Sequence, residues 1–367
     1  MLGLYISIPF CKFKCTYCNF ASGVFPRALL ERYLAALEKE ILGFSGVADT
    51  VYLGGGTPSL LTAGQIQRLF RTVHEVFQVP PAEVTLEAAP GTFDVALVAE
   101  WVRCGVNRVS LGVQSFVEQE LRAVGRPHRA ETVSEDIARL RAAGIREVSV
   151  DLIAGLPHQT RQSWEESLDW IARLAPEHVS VYILEVDEDS RLGAELLAEG
   201  ARYSAAAVPG EDTIADLYTR AGERLGEMGY RQYEISNFAL PGRESRHNRK
   251  YWEMEPYLGF GVDAHSFDGC ERRANVDTIE EYVERMERGE SPVASLEPMD
   301  DRRRGQERLF LGLRQTAGVA LGERDRERYG GEISHLAAAG LLEFLGGRLR
   351  LTARGRLLSN EVFQAFV

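Results

Sequence analysis

Three cysteines near the start of the chain constrain both its fold and its chemistry. Cys11, Cys15 and Cys18 are spaced C-x3-C-x2-C and follow a short apolar run, residues 4–8. Pro9 ends that run as a strand, because proline has no N–H to donate to a sheet. The thiols therefore lie on a loop just beyond a strand end. Three thiolates on one tight loop suit a soft metal centre, either an iron–sulfur cluster or zinc.

The number of cysteines helps to separate these centres. Structural zinc usually takes four ligands, arranged as two separated pairs. The other cysteines, Cys104 and Cys270, are single and distant, and we interpret them as small buried apolar residues. A [4Fe–4S] cluster held by three cysteines leaves one iron open, and we favour this centre. Zinc is the alternative, and a disulfide between Cys15 and Cys18 would be an artefact of cluster loss.

The composition is that of an ordinary globular protein and excludes several classes of function. Of 367 residues, 45% are hydrophobic and 26% charged, and the net charge of −12 argues against nonspecific binding to nucleic acid or anionic lipid. No apolar run approaches the roughly 18 residues of a membrane helix, and the start lacks the basic region of a signal peptide. Five cysteines, three of them on one loop, do not make a disulfide framework. We therefore expect a cytoplasmic protein without a transmembrane segment.

Strand-like and helix-like segments alternate through the first 230 residues. Such βα units predict a parallel sheet with helical crossovers, here an α/β fold that forms a partial (β/α)6 barrel of the TIM type. Functional residues of such barrels collect at the carboxyl ends of the strands. The predicted strands are residues 4–8, 50–53, 83–87, 108–113, 147–153 and 179–184, and the predicted early helices are residues 27–42, a segment from 62 and a segment after 92.

Polar residues stand at or near the ends of the last four predicted strands. A single polar residue there most often caps the next helix, but four on the same edge as a cysteine loop predict a site. A glycine-rich turn, GGGTP at residues 54–58, follows the second strand and matches neither the dinucleotide fingerprint nor the P-loop. The four polar residues are Glu87, Gln114, Asp151 and Glu185.

The cysteine loop, with Tyr17 before its last cysteine, resembles that of the radical S-adenosylmethionine (SAM) superfamily. In that superfamily the open iron binds the amino and carboxylate groups of SAM, and a glycine motif after the second strand holds the amino group. A narrower resemblance, over nearly the whole chain, is to the oxygen-independent coproporphyrinogen III oxidase family. It rests on YISIPFC at 5–11, GGGTP at 54–58, GVQSF at 112–116 and DLIAGLP at 151–157.

That resemblance implies a fold of the radical SAM kind and contacts to two SAM molecules. The matching residues for the first SAM are Tyr5 (beside the cluster loop), Gly55 and Glu87. The matching residues for the second SAM are Tyr17, Gly56, Thr57, Gln114, Arg126, Asp151 and Glu185.

Two departures from the oxidase pattern favour a sister branch, the heme chaperones. The oxidases have a fourth cysteine two positions after the third, where this chain has Phe20. They also carry an extension ahead of the barrel, whereas this sequence begins four residues before Tyr5.

A third motif, HNRKYW at 247–252, resembles the HNxxYW motif of the chaperone branch. His247 offers an imidazole for iron, and Tyr251 and Trp252 offer flat rings for a macrocycle. On a helix His247 and Tyr251 share one face, whereas on an irregular loop they need not. Without the resemblance, the segment reads as a basic surface loop. His265, expected to be buried, is the second candidate for heme, and the residues proposed to pair with propionates are Arg243, Arg246, Arg249 and Lys250.

The last part of the chain is predicted to form a small separate unit. A linker at 291–301 precedes helices at about 302–314 and 332–339, and Gly346 and Gly347 between apolar runs predict a hairpin. This suggests a winged-helix shape, which often binds DNA, and residues 301–367 hold 12 Arg against 8 Asp and Glu. The strongly acidic remainder favours a lid or docking role. We divide the chain into a radical SAM core (1–235), a connecting region with the heme motif (236–300) and this C-terminal domain (301–367).

The resemblance therefore implies a heme chaperone that holds a [4Fe–4S] cluster, SAM and heme. Its expected partners are apo-hemoproteins such as respiratory-chain acceptors, with no nucleic acid, and heme binding is the step at which a homodimer is expected. The alternative is a radical SAM enzyme that decarboxylates coproporphyrinogen III in porphyrin biosynthesis.

Overall fold

The structure is a computed structural model that describes residues 1–80 and 82–366. A large mixed sheet wrapped by helices is followed by a small unit of helices and a hairpin. The strands are β1 (Leu2–Ile8), β2 (Gly46–Gly55), β3 (Phe77–Gln78), β4 (Glu83–Ala88), β5 (Arg108–Gln114), β6 (Glu147–Ala154), β7 (His178–Ile183), β8 (Arg231–Gln232), β9 (Asn237–Ala239), β10 (Tyr257–Phe260), β11 (His265–Phe267), β12 (Glu271–Asn275), β13 (Val293–Pro298), β14 (Leu342–Leu345) and β15 (Arg348–Leu351). The helices are α1 (Arg27–Leu42), α2 (Ala63–Val76), α3 (Val95–Arg103), α4 (Glu118–Ala123), α5 (Ala130–Ala142), α6 (Arg161–Leu174), α7 (Arg191–Leu197), α8 (Glu211–Glu227), α9 (Arg246–Trp252), α10 (Ile279–Arg288), α11 (Asp301–Arg314), α12 (Glu323–Ala338), α13 (Ala353–Leu357) and α14 (Ser359–Gln364).

The predicted partial barrel is confirmed. Strands β1, β2, β4, β5, β6 and β7 are neighbours in this order and run parallel. Their outward side chains, such as Val51, Val109 and Val150, are fully buried in one core with the inner faces of the helices. The inward side chains alternate with them and are largely polar, because these strands carry a polar residue at every second position. The barrel interior is thus polar from its base to the carboxyl edge.

The sheet extends further than the sequence predicted. Strand β10 pairs parallel with β1, and β11, β12 and β13 continue antiparallel beyond it. The predicted linker at 291–301 was wrong, because its VASLEP segment pairs with β12 as an edge strand. At the other edge, β9 pairs antiparallel with β7, and β8 pairs antiparallel with β9. The predicted domain limits at 235 and 300 stay a prediction.

The C-terminal unit has the predicted helices and hairpin. Helix α12 begins nine residues earlier than predicted, with Gly330 and Gly331 inside it, because Tyr329 and Ile333 bury its inner face. Strands β14 and β15 pair antiparallel across the Gly346–Gly347 turn, where both glycines have positive φ. Among the residues that the structure describes, no helix combines the length and apolarity that crossing a membrane requires.

Candidate cofactor site at the carboxyl edge of the sheet

The cysteine loop is held in place at both of its ends. The N–H of Gly23 donates to the carbonyl of Pro9 at 2.9 Å, and the carbonyl of Gly23 accepts from the N–H of Cys11 at 2.8 Å. In the middle of the loop, the N–H of Thr16 donates to Val124 at 3.2 Å. The loop is therefore fixed against the barrel by its backbone, which leaves the thiols free to point at a ligand.

The three predicted ligands, Cys11, Cys15 and Cys18, are half-buried free thiols that line one cavity. Thr57 donates its hydroxyl to the sulfur of Cys11 at 3.6 Å, while burial raises the pKa of that thiol. In the described part of the chain, no three His, Cys, Asp or Glu side chains lie close enough to hold a single metal ion. In a cluster each cysteine binds a different iron, so the thiols can lie farther apart.

The glycine turn after β2 approaches the cysteine loop closely. The N–H of Gly56 donates to the carbonyl of Ile8 at 2.9 Å. A Cβ on Gly56 would lie 2.8 Å from the backbone carbon of Pro9, so only glycine fits there. Gly55 has φ of +102°, a conformation that side chains rarely adopt. Glycine is therefore required at both positions, where the second strand meets the loop.

The cavity beside the loop has a volume of about 620 Å³, within the range of small-molecule sites. Tyr5 lies apart from it, on an adjoining cavity of about 100 Å³ that it shares with Gly55 and Glu87. The structure thus brings together the residues predicted from four strands and two loops. Besides the three cysteines, the predicted residues on the large cavity are Tyr17, Gly55, Gly56, Thr57, Glu87, Gln114, Arg126, Asp151 and Glu185.

The cavity wall carries an excess of carboxylates. Burial raises the pKa of Glu87 to about 7, opposed by the hydroxyl of Tyr52, which donates to its Oε1 at 2.8 Å. Burial also raises the pKa of Asp151, which accepts from the hydroxyl of Ser110 at 3.1 Å. Glu185 is exposed at the rim. These carboxylates can accept hydrogen bonds from donor groups of a ligand.

Arg126 faces these carboxylates, and Lys12 and Lys14 are the other cations among the residues that line the cavity. Its Nη1 donates to the carbonyl of Gly112 at 2.6 Å and its Nε to the hydroxyl of Tyr17 at 3.1 Å. The guanidinium is thus fixed by protein groups and joins β5 to the cysteine loop. Gln114, at the end of β5, has a strained φ of +70°.

These residues fit SAM, which has a sulfonium, an ammonium, a carboxylate and ribose hydroxyls. The buried Oε1 of Gln114 finds no hydrogen-bond donor among the described residues, so it can accept from a bound ligand. Gly55 and Gly56 line the cavity beside the cysteine loop, with no side chain between their backbone and a ligand. The carboxylates of Glu87 and Asp151 suit hydroxyl donors and a cationic sulfur.

The heme candidate His247 lies on helix α9, at the base of the barrel and away from the cavity. It is 1% exposed, and burial lowers its pKa to about 3, so the ring is neutral. Its Nδ1 bonds the hydroxyl of Thr50 at 2.8 Å and its Nε2 that of Tyr251 at 2.7 Å. In this conformation neither nitrogen is available to iron. The alternative interpretation of this segment as a basic surface loop was therefore wrong, because residues 246–252 form helix α9 with His247 and Lys250 buried.

The other residues of the heme motif also contact protein groups. Tyr251 packs edge-on against Tyr257 at 4.6 Å, and Trp252 lies under the guanidinium of Arg314. The cations predicted for propionates already pair with carboxylates, namely Arg243 with Glu147, Arg246 with Asp49, Arg249 with Glu253 and Lys250 with Asp49 and Glu255.

His265 was predicted to be buried, and this was wrong. Its side chain is 62% exposed on β11, and Nε2 lies 4.0 Å from Oδ1 of Asp263. His265 begins strand β11 and is exposed, whereas the next two residues, Ser266 and Phe267, are buried. Cys270, predicted to be buried, is exposed as well.

Asp263 and Tyr52 were missed by the sequence reasoning. Asp263 has φ of +55° and lines both cavities, on a turn whose Gly261 N–H donates to the buried Glu40. The two glycines that precede it, Gly259 and Gly261, were a sequence signal for that turn. For Tyr52 a signal existed, because Thr50, Tyr52 and Gly54 alternate on the inward face of β2.

Family comparisons agree with this arrangement. Residues 5–171 match the Radical SAM superfamily, and residues 299–358 match the HemN C-terminal domain. The solved structure of the radical SAM enzyme coproporphyrinogen III oxidase (HemN) from Escherichia coli superposes with a TM-score of 0.86 and 25% identity, over 100% of this chain and 89% of that one. Fold and site thus define a radical SAM protein with a HemN-type C-terminal domain.

The particular family follows from curated relatives. The heme chaperone HemW of Bacillus subtilis is 35% identical over 100% of this chain and 99% of its own length. The heme chaperone HemW of Mycobacterium tuberculosis is 34% identical over 100% of this chain and 94% of its own length. The chain belongs to the heme chaperone HemW family.

Proposed function

We propose that this chain binds heme and transfers it to acceptor hemoproteins, and that it carries a SAM-coordinated [4Fe–4S] cluster. The observation that carries the proposal is the end-to-end similarity to heme chaperones HemW, 35% identical to one of them over 99% of its length. Phe20 supports it as well. This ring, 65% exposed beside the cavity, stands where the oxidases have a further cysteine.

The cofactor residues are proposed from the cavity. Cys11, Cys15 and Cys18 hold the cluster, and the backbone of the glycine turn and the polar wall orient SAM at the open iron. When bound, the cluster and SAM supply one-electron chemistry, while the protein binds, orients and excludes water. Tyr5, Gly55 and Glu87 serve the first SAM, and the second set serves another SAM if two bind, namely Tyr17, Gly56, Thr57, Gln114, Arg126, Asp151 and Glu185.

Two histidines are proposed for the heme iron. His247 belongs to the motif that the chaperone branch shares, and it reaches heme only after leaving Thr50 or Tyr251. His265 is already exposed, near the carboxylate that borders the cavity. We further propose a reducing, cytoplasmic location and acceptors such as respiratory-chain hemoproteins, with heme binding as the step at which a homodimer forms.

A second function, oxidation of coproporphyrinogen III, is supported by the close superposition with the Escherichia coli enzyme. An anaerobic assay of the reconstituted protein with coproporphyrinogen III, SAM and dithionite separates the two. We expect no substantial formation of protoporphyrinogen. In a parallel assay, heme-loaded protein should deliver heme to an apo-hemoprotein. Rapid product formation in the first assay, or no transfer in the second, would reject the chaperone proposal.

A further inference from the structure

Tyr52 lies between Glu87, which lines the cavity, and His247 on helix α9, and it contacts both residues. Its hydroxyl donates to Oε1 of Glu87 at 2.8 Å, and Glu87 lines the cavity. Its ring stacks on the imidazole of His247, with centroids 5.2 Å apart and an interplanar angle of 28°. A single side chain therefore joins the proposed SAM site to the helix that carries the heme motif.

The packing around Tyr52 is tight. The ring of Tyr5, which borders the small cavity, stacks on the ring of Tyr52 with the two centroids 6.1 Å apart. A Cβ on Gly54 would lie 2.9 Å from the ring of Tyr52 and 3.2 Å from the carboxyl carbon of Glu87. Only glycine at position 54 lets Tyr52 and Glu87 pack this closely, so a shift of Glu87 must also displace Tyr52.

The contacts of His247 on helix α9 are equally specific. Glu83 accepts the N–H groups of Arg246 and His247 at 2.9 Å each, which anchors the start of α9 at the base of the barrel. The ring of His247 then has Tyr52 stacked on it, while its nitrogens bond Thr50 and Tyr251. Freeing a nitrogen for iron requires the imidazole to leave this packing.

We propose that Tyr52 couples the cavity to helix α9, so that SAM and heme raise each other's affinity. Hydrogen-bond donors on SAM compete with the Tyr52 hydroxyl for the carboxylate of Glu87. This competition frees the Tyr52 ring and weakens its stacking on the imidazole of His247. A free imidazole then needs less rearrangement to meet heme. The coupling must be reciprocal, because both ligands act on one equilibrium between a packed and a released His247. This inference rests on the proposed function, since it requires both ligands to bind.

The test is a heme titration of the anaerobically reconstituted protein, followed at the Soret band, with and without saturating SAM. We expect SAM to tighten heme binding by at least about fivefold, the lower end of typical allosteric coupling. Tyr52→Phe keeps the ring but removes the bond to Glu87, so the factor should fall below about twofold. The SAM affinity, measured with and without heme, should change by the same factor in each protein.

The matched control is Tyr230→Phe, which removes another buried tyrosine hydroxyl, the one that donates to Pro176 far from both sites. It should retain the full coupling factor. An unaltered protein that binds heme equally with and without SAM overturns the inference, as does full coupling in Tyr52→Phe. Failure of the unaltered protein to bind heme at all refutes the proposed function instead, so the two failures are distinguishable.

Discussion

The guanidinium of Arg314 lies 4.5 Å from the centre of the Trp252 ring, and this contact joins the C-terminal unit to helix α9. The same guanidinium pairs with Glu234 at 3.1 Å, and Glu234 is fully buried. The heme motif is therefore packed between the base of the barrel on one side and α11 on the other. A heme that approaches His247 must displace one of these two layers.

Loss of Arg314 should loosen this docking. Arg314→Ala leaves the carboxylate of Glu234 buried without its partner, so we expect a loss of about 2 kcal/mol in the free energy of unfolding. Urea unfolding measures this change. The control, Arg350→Ala, breaks an exposed pair with Glu343 and should cost under about 1 kcal/mol. Equal effects of the two substitutions would show that the buried pair does not hold the C-terminal unit.

The cluster ligands can be tested by metal content. Cys15→Ala should lose most of the iron and sulfide that the unaltered protein takes up on anaerobic reconstitution, because three thiolates are needed to hold the cluster. Cys270→Ala changes an exposed thiol far along the chain and should retain all of it. A full cluster in Cys15→Ala would remove that residue from the ligand set.

Binding of SAM should depend on pH through Glu87, whose pKa burial raises to about 7. The sulfonium and the hydroxyl donors of SAM favour the ionised carboxylate, so affinity should rise roughly tenfold from pH 6 to pH 8. Stability changes in the opposite direction: since the folded-state pKa exceeds the usual value of 4.5, stability falls as pH rises from about 4.5 to about 7. Equilibrium binding in Glu87→Gln should lack the rise, and an equally flat profile in the unaltered protein would contradict the assignment.

The cavity was largely predictable because local patterns sufficed. A cysteine loop after one strand and polar residues at the ends of others place side chains on one edge of a parallel sheet, whatever the details of packing. Helix α1 was predicted with its observed limits because its apolar spacing runs uninterrupted from Arg27 to Leu42.

The burial of His247 could not be predicted in the same way. It depends on Glu83 and Thr50, which lie 164 and 197 residues away in sequence and become neighbours only in the folded barrel. Edge strand β13 was missed for a related reason, because its serine and proline residues resemble a linker until β12 supplies a partner. Contacts between distant segments, rather than local propensity, determined both outcomes.

His247 and His265 are the two candidate ligands of the heme iron. We expect His247→Ala to shift the Soret band and weaken heme binding, because the axial ligand sets the electronic state of the iron. Since Tyr251 occupies Nε2 in the structure, Tyr251→Phe should free that nitrogen and tighten heme binding several-fold. His265→Ala, which removes the exposed imidazole, is the matched comparison and should leave the band unchanged.

The three variants distinguish a buried ligand from an exposed one. If the iron binds His247, both His247→Ala and Tyr251→Phe change the titration, in opposite directions, because one deletes the ligand and the other releases it. If the iron binds His265, only His265→Ala changes the band, and α9 stays packed when heme is bound. In that case His247, with both nitrogens bonded and its pKa near 3, stabilises the base of the barrel.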